Sequence, residues 1–223
     1  MFRTERVKVL CFGDSITKGY CRYGTEYYPY SIYLEQMFAQ DYPSLQIDFV
    51  ECGRDGERVV KQMEKRFKQA LDQNRYDHVI LLGGLNDMAD MMRNQSTTKS
   101  VLCAFENMYK TLEDNKYIKS FIHITVPNCV LDCKQHGDNP YQKQKDIVND
   151  AICNMSSIKK RTVLDLRDHS SYQMNSLCMD EKLHDMYWDD GLHFTKEGYM
   201  LLAKNIYKLL KEEVINTRAL LHN

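Results

Sequence analysis

Residues 7–17 read Val-Lys-Val-Leu-Cys-Phe-Gly-Asp-Ser-Ile-Thr. A run that is apolar at nearly every position ends in a glycine, and polar residues follow at once. Val7–Phe12 therefore reads as a strand buried on both faces, as in a parallel sheet covered by helices. Four runs of the same kind follow at Gln46–Glu51, His78–Leu82, Phe121–Val126 and Thr162–Leu166. Between them lie segments of helical period, Tyr30–Ala39, Glu57–Leu71, Ser100–Leu112 and Gln142–Ser156. The last is Lys196–Val214, with Tyr199, Leu202, Ala203, Ile206, Leu209 and Leu210 on one stripe and Thr195 placed to cap it. Strands alternating with helices predict an α/β fold, a three-layer α/β/α sandwich around a five-stranded parallel sheet. Residues 1–223 are expected to form one domain. In such sheets chemistry gathers beyond the carboxyl ends of the strands, so the segments just after each run carry the search for a site.

Composition narrows the function classes. Net charge is −1, with 30 basic and 31 acidic residues interspersed, so no basic stripe points to nucleic acid or a membrane surface. The apolar run near the N-terminus, Val9 to Phe12, is too short for a signal-peptide core, and no stretch reaches the ~18 apolar residues of a membrane span. A cytoplasmic location is expected, with the eight cysteines as reduced thiols. Cys129 and Cys133 form a close pair, but only His136 lies near enough to join them, which leaves zinc short of ligands. No cofactor is expected.

Three post-strand segments and one just before the last helix carry candidate chemistry. Gly13-Asp14-Ser15-Ile16-Thr17 puts a serine at the sheet's carboxyl edge, near the start of a helix whose free amides favour negative charge. Asp14, Ser15 and Thr17 are equally good helix caps, and Thr17 stands where a G-x-S-x-G elbow needs glycine. Cys52-Gly53-Arg54-Asp55-Gly56-Glu57 allows the Gly56 amide to face a cleft, or is a turn before a helix capped by Asp55. Gly83-Gly84-Leu85-Asn86-Asp87 offers the Asn86 amide as an oxyanion donor that does not titrate, or a helix cap. Neither glycine segment spells the dinucleotide-binding G-x-G-x-x-G. In Asp190-Gly191-Leu192-His193 a carboxylate three residues before a histidine can fold back to hold the ring, or Asp190 caps a turn and His193 is structural. A metal reading of His184, Asp189, Asp190 and His193 matches no familiar ligand spacing.

Taken together, G-D-S after the first strand, a glycine turn after the second, G-x-N-D after the third and D-x-x-H before the last helix resemble the SGNH, or GDSL-type, hydrolases, a family of esterases and lipases. The resemblance runs from about Val7 to Leu210. It implies a flavodoxin-like strand order 2-1-3-4-5, with Ser15 as nucleophile and Asp190 and His193 completing the triad. The oxyanion hole it implies is the Ser15 amide, the Gly56 amide and the Asn86 side chain. The chain departs from the family around the second turn. Glu51 stands where asparagine is common, and Arg54 and Arg58 add bulk and charge.

The resulting expectation is a serine esterase acting on small-molecule esters of small acyl groups through an acyl-enzyme on Ser15. The alternatives are a carbohydrate O-deacetylase or acyltransferase, a thioesterase, and a non-catalytic flavodoxin-like binding module. The tyrosine-rich segment Tyr20–Tyr33 either walls a pocket for sugars or aromatic groups or packs a loop onto the first helix.

Overall fold

The computed structural model describes residues 6–132, 139–155, 160–168 and 185–221. Ser156, Cys133, His136 and His184, named in the sequence reading, lie outside them. In chain order the elements are β1 (Val7–Gly13), α1 (Ser15–Lys18), β2 (Tyr20–Cys21), β3 (Glu26–Tyr27), α2 (Tyr30–Asp41), β4 (Ile47–Gly53), α3 (Glu64–Gln73), β5 (His78–Leu82), α4 (Leu85–Met92), α5 (Thr98–Asp114), β6 (Ser120–Ile124), α6 (Pro140–Asn154), β7 (Arg161–Leu164) and α7 (Lys196–Leu221).

Five strands form one parallel sheet in the order β4-β1-β5-β6-β7, which is 2-1-3-4-5 when its own strands are counted. β1, β5 and β6 are buried almost throughout, as their continuous apolar runs require. Neighbouring residues of β1 mark the two covered faces. Phe12 meets Phe67 of α3 edge to face at 4.9 Å, whereas Cys11 lies beside Tyr30 of α2. α7 packs along α2 and reaches β6 and β7, and α5 packs against α3 and α6. The predicted stripe of α7 is buried at Tyr199, Leu202, Ala203, Ile206 and Leu210, while Leu209 is half-buried. Thr195 caps that helix through its hydroxyl, which accepts from the Gly198 amide at 3.2 Å. Among the described residues no helix is long and apolar enough to cross a membrane.

The elements differ from the sequence expectation where side chains from elsewhere decide. The helix expected from Glu57 starts two residues later, with a π-helical turn over Val59–Met63. There the Arg58 carbonyl accepts from both Gln62 and Met63, and the Asp87 carboxylate of α4 takes the Val59 and Val60 amides at 2.8 and 3.2 Å. Asp87 thus caps another element rather than its own. Val126, expected inside the fourth strand, leaves the sheet because the Asn149 side chain of α6 holds both its amide and its carbonyl. The tyrosine-rich segment is a small hairpin, β2–β3, joined at Arg22–Gly24.

Register brings the chemistry to one rim. Gly13 lies opposite Gly53 on one side and Leu82 on the other, and Leu82 lies opposite Ile124. The loops bearing Ser15, Gly56 and Asn86 therefore leave from adjacent strand ends.

Candidate active site

Ser15 is the first residue of α1, and the Asp14 carboxylate caps that helix by accepting from the Ile16 amide at 3.0 Å. The turn leaves no room at residue 13: a Cβ there would lie 2.1 Å from Thr17 Oγ1 and 2.4 Å from the Leu82 carbonyl oxygen. Only glycine allows the chain to leave β1 so sharply.

His193 reaches Ser15 across the rim, with Ser15 Oγ 2.9 Å from His193 Nε2. On the other side of the ring, His193 Nδ1 is 2.8 Å from Asp190 Oδ2. Asp190 Oδ1 accepts from the Leu192 and His193 amides at 2.9 and 2.7 Å. Burial alone would raise the Asp190 carboxyl, but the bonds from the His193 ring and the two amides outweigh it and hold the group at about 2. A carboxylate so anchored keeps its charge at neutral pH and fixes Nδ1 as the donor, leaving Nε2 to accept.

The loop carrying both residues closes on itself. Trp188 and Phe194 form an antiparallel bridge, and the Asp189 amide donates to the His193 carbonyl at 2.9 Å. Trp188 is buried against Phe194, with ring centroids 4.6 Å apart. The β2–β3 hairpin lies over the loop. The Tyr20 ring sits 4.3 Å from that of His193, and the Arg22 amide donates to Asp189 Oδ2 at 2.6 Å.

Asn86 is the second residue of α4 and donates through Nδ2 to the Glu57 carbonyl at 3.0 Å. That bond uses one of its two amide hydrogens. Gly56, next to Glu57, is exposed and held at φ 69°, and its amide has no partner among the described residues. The structure thus joins Ser15, His193 and Asp190 in one hydrogen-bonded series and ties Asn86 to the Gly56 loop. Arg58 does not crowd this cleft. It turns back to the Gly56 carbonyl and to Asp90 of α4.

Asp90 and Arg66 were missed from the sequence, and Asp87 was read only as a possible cap of its own helix. Arg66 carried a usable signal: it lies three residues after Met63 and seven after Val59, on the buried stripe of its helix, where a charge needs a partner. Among the described residues, no group of three or more His, Cys, Asp or Glu side chains is arranged to hold a metal ion.

Comparison with known proteins gives a consistent picture. A family model described as the GDSL-like Lipase/Acylhydrolase family matches residues 11–201. No curated protein matches. An acetylxylan esterase from Geobacillus stearothermophilus is 19% identical with a TM-score of 0.71, over 91% of this chain and 93% of that one. A lipase/acylhydrolase from Enterococcus faecalis is 21% identical with a TM-score of 0.67, over 92% and 96%. At such identities these likenesses speak for the fold.

Proposed function

The chain belongs to the GDSL-like lipase/acylhydrolase family, a family of carboxylic ester hydrolases, and from that premise we propose that it cleaves esters of small acyl groups through an acyl-enzyme on Ser15. The observation that carries this reading is the series Ser15 Oγ, His193 Nε2, His193 Nδ1, Asp190 Oδ2, with links of 2.9 and 2.8 Å.

Ser15 Oγ attacks the acyl carbon as its proton passes to His193 Nε2. Asp190 stabilises the resulting imidazolium without taking a proton. The negative charge on the former carbonyl oxygen meets the Ser15 amide, the Gly56 amide and the second N–H of Asn86. Nε2 then returns the proton to the leaving alcohol. In the second half-reaction Nε2 takes a proton from water as its oxygen attacks the acyl carbon; the Oγ–acyl bond then breaks, Nε2 returns the proton to Ser15 Oγ, and the carboxylic acid leaves. The preference for a small acyl group is supported by the enclosure of the nucleophile: Ser15 is only 7% exposed and Tyr20 lies against its partner histidine.

The test is hydrolysis of p-nitrophenyl acetate by the parent and by Ser15→Ala, with a fluorophosphonate probe on both. The reading expects labelling at residue 15 in the parent alone, and a loss of kcat of about 10⁴-fold or more in the variant. Undiminished turnover by Ser15→Ala would remove it, and an unlabelled, inactive parent would favour the binding module.

A second reading, a carbohydrate ester as substrate, is favoured by the β2–β3 hairpin. Its tip holds Arg22 and Tyr23 at φ 48° and 55°, and Tyr23 is 84% exposed. An aromatic ring kept in water by strained backbone suits stacking against a sugar face.

A further inference from the structure

The Gly56 loop is held from two sides by arginine–carboxylate pairs that no step above uses, Arg66–Glu57 buried and Arg58–Asp90 with its arginine half-buried. On the β1 side Arg66 of α3, 7% exposed, spends its guanidinium on three segments at once. Nε and Nη2 reach Glu57 Oε2 at 2.7 and 2.5 Å. Nη2 also donates to the Gly13 carbonyl at 2.8 Å, and Nη1 to the Cys52 carbonyl at 2.9 Å and to Cys52 Sγ at 3.0 Å. Its plane lies 4.0 Å from the Phe12 ring. On the α4 side Arg58 grips Asp90 through Nε at 2.8 Å and Nη2 at 3.2 Å, while Nη1 donates to the Gly56 carbonyl at 2.8 Å. Asp90 is 1% exposed and also receives Lys61 Nζ at 2.6 Å.

These contacts have a geometric consequence. Gly13 ends β1 two residues before Ser15, and Glu57 adjoins Gly56. Arg66 therefore spans from the nucleophile's turn to the loop that carries the candidate oxyanion donor. A planar five-donor fork sets both distance and angle, which a lysine ammonium cannot. Gly56 has no side chain of its own to anchor, and a donor that must reorganise during the reaction stabilises the oxyanion poorly.

We propose that Arg66, acting through Glu57, is a positioning residue for ester hydrolysis: it fixes the Gly56 amide against Ser15 before substrate arrives, with Arg58 and Asp90 bracing the far side of the same loop. The inference rests on the hydrolase reading above, with Gly56 as a donor.

The test measures kcat and KM for p-nitrophenyl acetate in Glu57→Ala, Glu57→Gln, Arg66→Lys and Asp90→Asn. Each is assayed well below its own unfolding temperature, with folding checked by near-ultraviolet circular dichroism. Glu57→Ala and Arg66→Lys lose about 10- to 100-fold in kcat, with KM within about threefold of the parent. Glu57→Gln still accepts from Arg66 Nε and recovers most of the loss. Asp90→Asn tests the far brace even where the Arg66 variant does not fold, and shows the same split in smaller degree. An active, Ser15-dependent parent whose folded Glu57→Ala variant keeps kcat within twofold, or loses only through KM, overturns the brace alone. A parent without Ser15-dependent hydrolysis overturns both readings.

Discussion

Asn86 gives one amide hydrogen to the Glu57 carbonyl, and in the proposed mechanism the other meets the oxyanion. Truncation to alanine removes the second as well as the first. Asn86→Ala should lower kcat for p-nitrophenyl acetate by about 10²- to 10³-fold, the cost of one oxyanion donor elsewhere, with a smaller change in KM. A kcat within fivefold of the parent would take Asn86 out of the hole. Residues of this kind were legible in the sequence because each sits just past an apolar run, where the fold class itself says to look. Asp190 and His193 were legible for a second reason: three residues of chain suffice to bring a carboxylate back to a ring. Arg66 was legible only as a charge on a buried stripe. Its partners are Gly13 at the end of β1, Cys52 in β4 and Glu57 in the following loop, and no local pattern says that these converge on one guanidinium.

Among the elements, the β2–β3 hairpin bears most directly on specificity. Two-residue strands leave no periodic trace, so the sequence showed only a tyrosine-rich segment and two ways to read it. The hairpin is fastened to the loop carrying Asp190 and His193 through the Arg22 amide, and to α7 through the Tyr199 hydroxyl, which donates to the Tyr20 carbonyl at 2.8 Å. In the carbohydrate reading proposed above, its exposed tip acts on the leaving group rather than on the reacting carbon. Tyr23→Ala is expected to reduce kcat/KM for an acetylated sugar by about 3- to 10-fold, the worth of one stacking contact, while hydrolysis of p-nitrophenyl acetate stays within about twofold. Equal losses on both substrates would refute the sugar subsite. The π-helical turn before α3 was illegible for a related reason. Periodicity predicts that Glu57–Leu71 is helical, but the starting residue is set by the Asp87 carboxylate arriving from α4.

At the scale of the whole molecule the fold was the most legible feature, since central parallel strands must be apolar on both faces and β1, β5 and β6 are. The edges were less so. β4 is half-buried, and its run was displaced by a residue or two. Burying so much of the sheet also sets a pH response. Asp14, 1% exposed, has Oδ2 without a partner among the described residues, and burial pushes its carboxyl up to about 7. The folded state then holds a proton that the unfolded chain, at the group's ordinary value of 3.8, releases. Stability from this group is present at low pH and is lost as pH rises from about 4 through 7. Buried His78 and His123 act in the opposite sense. Burial lowers them to about 4 and about 3, so stability is lost as pH falls below 6.5. The two trends offset each other between pH 4 and 7. Asp14→Asn, which still caps α1, should raise stability by up to about 4 kcal/mol at pH 8 and by less than half as much at pH 5. Its unfolding temperature should fall more steeply than the parent's on acidification from pH 7 to pH 5. Thermal melts at those values check this, and an equal gain at pH 8 and pH 5 would refute it.

The closed loop from Trp188 to Phe194 has a further implication for how such molecules diversify. Asp190 and His193 are neighbours on a clasp seven residues long, fastened by its own backbone, so their mutual aim owes little to the remaining loops. The carboxylate–imidazole pair is in this sense a portable cassette, docked against a serine that the sheet presents. Loops over the rest of the rim are at liberty to be rewritten while this pairing stays in tune.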